Sequence, residues 1–234
     1  MTKLTMAHTP ALPLWQTITL ARQRFQLLNL DHPEVDRQIW RDLDAGVPVV
    51  YDRRWEVTGR LCRFLLSQPQ YIAERSVLIL GAGVGLETLV VGRLCRMLYI
   101  NDLAPQALAL CAQQLQHNGI SHFTCLPGRF ETLHLPPVDL VLGCYVVYNR
   151  DTAAAMRHFL ARCPYPVLLS NDNLLNWQQL LRDIRRPYER LPLADEQPCV
   201  LFAALAPEPV SPPCSPAPSR VWLQSLRRPR KPAC

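Results

Sequence analysis

The stretch Val77-Leu-Ile-Leu-Gly81-Ala-Gly83-Val-Gly85-Leu-Glu87 decides the fold. Four apolar residues in a row read as a strand buried on both faces, which a parallel sheet provides. The strand runs into a turn with glycine at every second place. Glycine permits left-handed backbone and removes side chains where a ligand would approach the main chain. Apolar residues at Leu86, Leu89, Val90, Leu94 and Met97 then recur at helical spacing, so a helix over 86–97 is predicted. Its first turn would present free N–H groups and a partial positive charge. A second apolar strand, over 98–101, leads to Asp102. An acid at that place can accept two hydrogen bonds from a ribose diol. Strand, glycine turn, helix, strand and acid together describe a nucleoside-binding pocket, whereas a glycine turn alone serves many tight connections.

The dinucleotide fingerprint requires glycine or alanine at the end of G-x-G-x-x-G. Counting from Gly81 places Leu86 there, and counting from Gly83 places Thr88 there. Both readings speak against NAD or FAD. A G-x-G-x-G loop followed by an acid suits a ligand with a ribose and a carboxylate but no pyrophosphate, a description met by S-adenosylmethionine.

At this point the chain resembles the class I, seven-stranded S-adenosylmethionine-dependent methyltransferases. Asn101-Asp102-Leu-Ala-Pro105 with the helix that follows is similar to the family's second strand and helix. Val138-Asp139 through Tyr148 is similar to its fourth strand and the segment after it. Arg54-Trp55-Glu56 and the helix to Leu66 resemble the Trp-containing helix of its protein lysine methyltransferases. The nearest likeness is to the branch that includes the electron-transfer-flavoprotein β-subunit lysine methyltransferase. The match covers roughly residues 47–206. It implies an α/β, Rossmann-like sandwich with a mostly parallel sheet and a C-terminal antiparallel hairpin. It also implies S-adenosylmethionine as cofactor and a protein lysine as methyl acceptor.

The resemblance assigns roles by position. Gly81, Gly83 and Gly85 admit the methionine part, Asp102 binds the ribose, and Leu103 and Phe130 flank the adenine. Trp55 lines the methionine end, and Tyr145 and Tyr148 face the transferred methyl and the acceptor. Asn149, Asn171 and Asp172 are further polar candidates. Three positions depart from the pattern. Ile79 stands where the family has an acid two residues before the first glycine. Arg129 stands where an acid often meets the adenine amino group. Tyr145 replaces the Asp of a D-x-x-Y motif. These departures keep a second class open, a non-catalytic binding protein on the same fold. Methylation of a small molecule or of RNA is a further alternative.

The rest of the chain bounds these readings. Its 234 residues suit one domain with an N-terminal addition. Residues 1–46 are expected to be a helical extension, with an apolar stripe over 14–30 and a short helix from Asp36 to Leu43. Residues 47–51 read as an edge strand or an extended approach to the site. Residues 207–234 read as a disordered, Pro-rich, basic tail. The net charge is +6, yet Lys3 and Lys231 are the only lysines among 25 basic residues. The basic tail is the one feature that favours nucleic acid as a partner. The nine cysteines are scattered with no C-x-x-C pair, which argues for buried thiols and against a metal site. No apolar run is long enough to span a membrane and no secretory leader is evident, so a cytoplasmic, monomeric protein is expected.

Overall fold

The computed structural model describes residues 12–172, 174–192 and 198–205. The expected tail therefore lies outside the described residues, as do residues 1–11. A seven-stranded sheet forms the centre. Its strands are β3 (Ser76–Leu80), β4 (Met97–Asp102), β5 (Phe123–Pro127), β6 (Leu140–Cys144), β7 (Val167–Ser170), β8 (Tyr188–Pro192) and β9 (Pro198–Phe202). They lie in the order β5-β4-β3-β6-β7-β9-β8. All neighbours pair in parallel except β9, which runs antiparallel to both β7 and β8. The predicted terminal hairpin is thus present.

The apolar run of β3 is explained by its two neighbours in depth. Val77 and Ile79 enter the core under α2 (Glu56–Ser67), α3 (Leu86–Leu94) and α4 (Pro105–His117). Leu78 and Leu80 enter the opposite core under α5 (Arg150–Arg162) and α6 (Leu175–Asp183). A strand covered on both faces needs apolar side chains at every position. The helix predicted over 86–97 ends at Leu94, because Arg96 N–H already pairs with the Arg75 carbonyl at 2.8 Å on the way into β4.

The N-terminal extension corrects the sequence reading. Residues 14–30 are not helical. They form an antiparallel hairpin of β1 (Trp15–Leu20) and β2 (Gln23–Leu28). Its two-residue turn, Ala21-Arg22, has both residues at positive φ, a conformation that hairpins usually reach with Asn or Gly. Without that signal, the spacing of Leu14, Trp15, Ile18, Ala21, Phe25 and Leu28 mimics a helix. The free edge of β2 is satisfied by side chains of α4. Leu28 N–H donates to Gln114 Oε1 at 2.9 Å, and Gln26 exchanges two hydrogen bonds with Asn118. Trp15 stacks on His117 with ring centres 3.7 Å apart. The second element, α1 (Pro33–Asp44), is longer than the short helix expected and packs on α4. Residues 47–51 form no strand and lead from α1 to the cleft, where Tyr51 packs against Gly83.

Candidate active site

The chain runs outward from β3 through β4 to β5, then returns to β6 on the other side of β3. Open α/β sheets bind ligands at such a reversal, outside the carboxyl ends of the strands. A cleft of about 1010 Å³ opens there. Trp55, Gly81, Gly83, Gly85, Asp102, Leu103, Phe130, Tyr145 and Tyr148 line it.

The glycine turn is shaped by crowding as well as by φ. Gly81 and Gly83 have φ of 56° and 51°. A Cβ on Gly81 would lie 2.9 Å from Val146 Cγ1, and one on Gly83 would lie 3.2 Å from Tyr51 Cβ. Gly85 has ordinary φ and serves as the N-cap of α3. A Cβ there would overlap the Glu87 carboxylate.

Asp102 ends β4 with both oxygens engaged. One accepts from Gly83 N–H at 2.8 Å and the other from Ala104 N–H at 2.9 Å. Each oxygen keeps a further lone pair for a ligand. Burial pushes its carboxyl pKa up, and the backbone N–H groups partly offset this. Leu103, 42% exposed, offers a bare apolar face beside it. Phe130 lies in a 3₁₀ turn across the cleft, held edge-on to Phe159. The Arg129 guanidinium is paired with Glu131.

Three aromatic rings form the other wall. Trp55 stacks on Tyr145 at 4.0 Å between ring centres, and Tyr145 lies nearly parallel to Tyr148 at 6.2 Å. Trp55 is fixed by Nε1–H donating to the Val50 carbonyl at 3.3 Å. Its ring carries the Arg53 guanidinium at 5.5 Å, itself paired with Asp52. Tyr145 leaves β6 at a φ of 55°, a strained value for an aromatic residue. Its N–H is held by the Ser170 carbonyl at 2.8 Å. Burial raises the pKa of both Tyr145 and Tyr148, so each hydroxyl stays protonated at neutral pH.

Asn171 does not line the cleft. It braces the segment beneath, accepting from Val147 N–H at 3.1 Å and donating to the Val147 carbonyl at 3.0 Å. Asp172 also lies outside the lining, although its charge helps to raise the Tyr145 pKa. Asn149 does line the cleft, but it also caps α5. Its side chain accepts from Thr152 N–H at 2.8 Å, and Thr152 bonds back to complete a capping box.

Two residues escaped the sequence reading. Tyr51 packs against Gly83, and its hydroxyl donates to Asp42 at 2.6 Å, joining α1 to the glycine turn. Glu87 lines the cleft floor and is 3% exposed. Only its place immediately after the glycine turn could have drawn notice. Among the described residues, no group of three or more His, Cys, Asp or Glu is placed to hold a metal. The seven cysteines there are free thiols. No helix there is long and apolar enough to cross a membrane.

The same architecture occurs in solved structures. The T. thermophilus 16S rRNA methyltransferase RsmC, solved with AdoMet and guanosine, matches with a TM-score of 0.58 at 18% identity, over 85% of this chain and 52% of that one. A Methanococcus maripaludis protein assigned to the S-adenosyl-L-methionine-dependent methyltransferases matches with a TM-score of 0.51 at 12% identity, over 65% of this chain and 87% of that one. The chain has the class I methyltransferase fold. No family model matches it. In sequence, this methyltransferase-fold chain is 26% identical over 121 residues to the histone-arginine methyltransferase METTL23 of Xenopus laevis. That match covers 47% of this chain and spans about half, 52%, of the relative.

Proposed function

We propose that the protein transfers the methyl group of S-adenosylmethionine to a nitrogen of a protein side chain, with lysine as the acceptor. The observation that carries this reading is the aromatic wall of Trp55, Tyr145 and Tyr148 facing the glycine turn and Asp102 across one cleft. The cleft suits the cofactor in three respects. Bare backbone at Gly81 and Gly83 admits a close ligand, Asp102 retains acceptor capacity for a diol, and Leu103 and Phe130 offer apolar faces for an adenine ring.

The cofactor supplies an activated methyl on a good leaving group. The protein then has to hold the acceptor neutral, close and aligned. Aromatic faces attract an alkylammonium and guide it into the cleft. The Arg53 guanidinium already resting over Trp55 is an internal example. With their pKa values raised, the Tyr145 and Tyr148 hydroxyls orient the amine as protonated phenols, and its proton leaves to solvent before transfer. A lysine amine loses a proton near pH 10 in water, whereas a guanidinium stays charged. The carboxylates that flank Trp55, Asp52 and Glu56, are already paired with Arg53 and Arg60, and this favours lysine over the arginine named for the METTL23 relative.

RNA is the second reading. Arg53, Arg54, Arg60, Arg63 and Arg129 line the cleft, and RsmC acts on rRNA. Against it, Arg53, Arg60 and Arg129 are paired with Asp52, Glu56 and Glu131. Calorimetric titration with S-adenosylmethionine and S-adenosylhomocysteine, with NAD as control, tests the cofactor. Micromolar binding of the first two is expected. Transfer of radiolabelled methyl to mixed protein and RNA acceptors, followed by hydrolysis, tests the acceptor. Label in methyl-lysine is expected. Label in methyl-arginine or a methylated base would replace the lysine assignment, and absence of binding would leave a non-catalytic protein on this fold.

A further inference from the structure

Glu87 stands apart from every other charged side chain of the site. It occupies the first turn of α3, two residues after Gly85. Its carboxylate folds back towards Gly85, and the missing Cβ of that glycine leaves room for it. It takes a hydrogen bond from its own backbone N–H, but Oε2 has no partner among the described residues. The groups whose ionisation its charge opposes are thiols: Cys62 of α2, Cys111 of α4 and Cys144 at the end of β6. All three are buried, which pushes their pKa values up and keeps them neutral. None of the ion pairs among the described residues includes Glu87. A buried carboxylate without a cation is costly to keep, and such groups concentrate where a ligand completes them.

Building on the S-adenosylmethionine reading, we propose that Glu87 binds the α-ammonium group of the cofactor's methionine part. An ammonium matches the open position, because it brings both a full positive charge and N–H donors. A sulfonium brings charge but no donor, and would leave Oε2 unsatisfied. No other acid is available from β3, since Ile79 occupies its buried face. The other acid at the loop, Asp102, already holds Gly83 and Ala104. Burial raises the Glu87 carboxyl to about 7, and an ammonium beside it would drive it to ionise.

The test compares the full chain with its Glu87→Gln variant against three ligands. These are S-adenosylhomocysteine, its desamino analogue, and 5′-methylthioadenosine, which lacks the amino-acid part. Wild type is expected to prefer S-adenosylhomocysteine over the desamino analogue by about ten- to a hundredfold. In Glu87→Gln that preference should collapse, while 5′-methylthioadenosine binds within about twofold of wild type. Retained near-wild-type affinity for that ligand shows that the variant's pocket is intact. Equal losses for all three ligands, or no loss for any, would overturn the assignment of Glu87 and leave the cofactor reading standing. A wild-type protein that binds none of them would overturn both.

Discussion

Replacing Glu87 by glutamine should make the cofactor-free protein more stable relative to wild type as pH rises. The carboxyl titrates near 4.5 in the unfolded chain and near 7 in the folded one. Below about pH 4.5 both states hold the proton and the group contributes no pH-dependent difference. Between those values the unfolded chain releases the proton while the folded protein keeps it, so stability falls as pH rises. Above about pH 7 both states are ionised and the full penalty is in place. The shift of about 2.5 units corresponds to about 3 kcal/mol. Glutamine does not titrate, so the difference in unfolding free energy between variant and wild type should move by about 3 kcal/mol towards the variant between pH 4.5 and pH 8. Any constant offset from the amide cancels in that comparison, as do the other carboxylates. Urea unfolding at a series of pH values measures it directly, and for a chain of this size the same quantity is worth roughly 6–12 °C in Tm. A flat difference, or one that moves towards wild type as pH rises, would show that Glu87 is paired in the folded state and would refute the reasoning.

The other predictions follow from single contacts. Asp102→Asn keeps an acceptor for only one of Gly83 and Ala104 and loses the charge, so it should cost about 1–3 kcal/mol of stability and lower S-adenosylhomocysteine affinity roughly ten- to a hundredfold; undiminished affinity in calorimetry would remove Asp102 from the binding site. Tyr145→Asp relieves an aromatic residue at left-handed φ but loses the Trp55 stack, terms of about 1–2 and 0.5–1.5 kcal/mol that nearly cancel. Its stability should stay within about 1 kcal/mol of wild type, whereas methyl transfer to a lysine acceptor should fall because the middle ring of the aromatic wall is lost; undiminished transfer would remove Tyr145 from acceptor binding. Trp55→Ala should raise KM for a peptide acceptor more than it lowers kcat, because the ring attracts rather than reacts; a fall confined to kcat in steady-state assays would contradict this. Arg186 donates to the carbonyls of Leu160, Cys163 and Ala203, so Arg186→Ala should cost about 3 kcal/mol or more in urea unfolding with cofactor affinity unchanged.

The central sheet was legible because burial on both faces leaves a plain mark. The apolar runs at 77–80, 140–142 and 167–169 mark strands, and the short link before β9 marks an antiparallel return. The lining residues were legible for a related reason: glycines, an acid at a strand end and an aromatic cluster occur where a chain leaves the sheet. The N-terminal hairpin was not legible. Its turn lacks Asn and Gly, and its edge is closed by Gln114 and Asn118, about ninety positions away in sequence. Tyr51 was missed for the same reason, since its partner Asp42 and its neighbour Gly83 come from separate elements. A lone glutamate in a helical pattern reads as a solvated face. Only the folded structure reveals that Glu87 points inward.

Two costly features of the described residues meet at the cleft, a left-handed tyrosine and an unpaired buried acid. Gly81, Gly83 and Tyr145 all have left-handed φ within the cleft wall, and the buried unpaired carboxylate lies on its floor. Elsewhere, the described non-glycine residues at positive φ are Ala21 and Arg22 in the hairpin turn and Glu74 in the turn before β3. A fold gains nothing in stability from a left-handed tyrosine beside a lone buried acid, and each lowers the margin by a kcal/mol or more. The surrounding structure holds them in place. Ser170 and Asn171 fix the backbone after β6, Asp102 fixes the turn after β3, and the thiols around Glu87 leave its charge without compensation. Ile79 is therefore not an empty place in the design. The acid lies instead at the start of α3, buried on the cleft lining, where on the proposal above the cofactor's ammonium would compensate it.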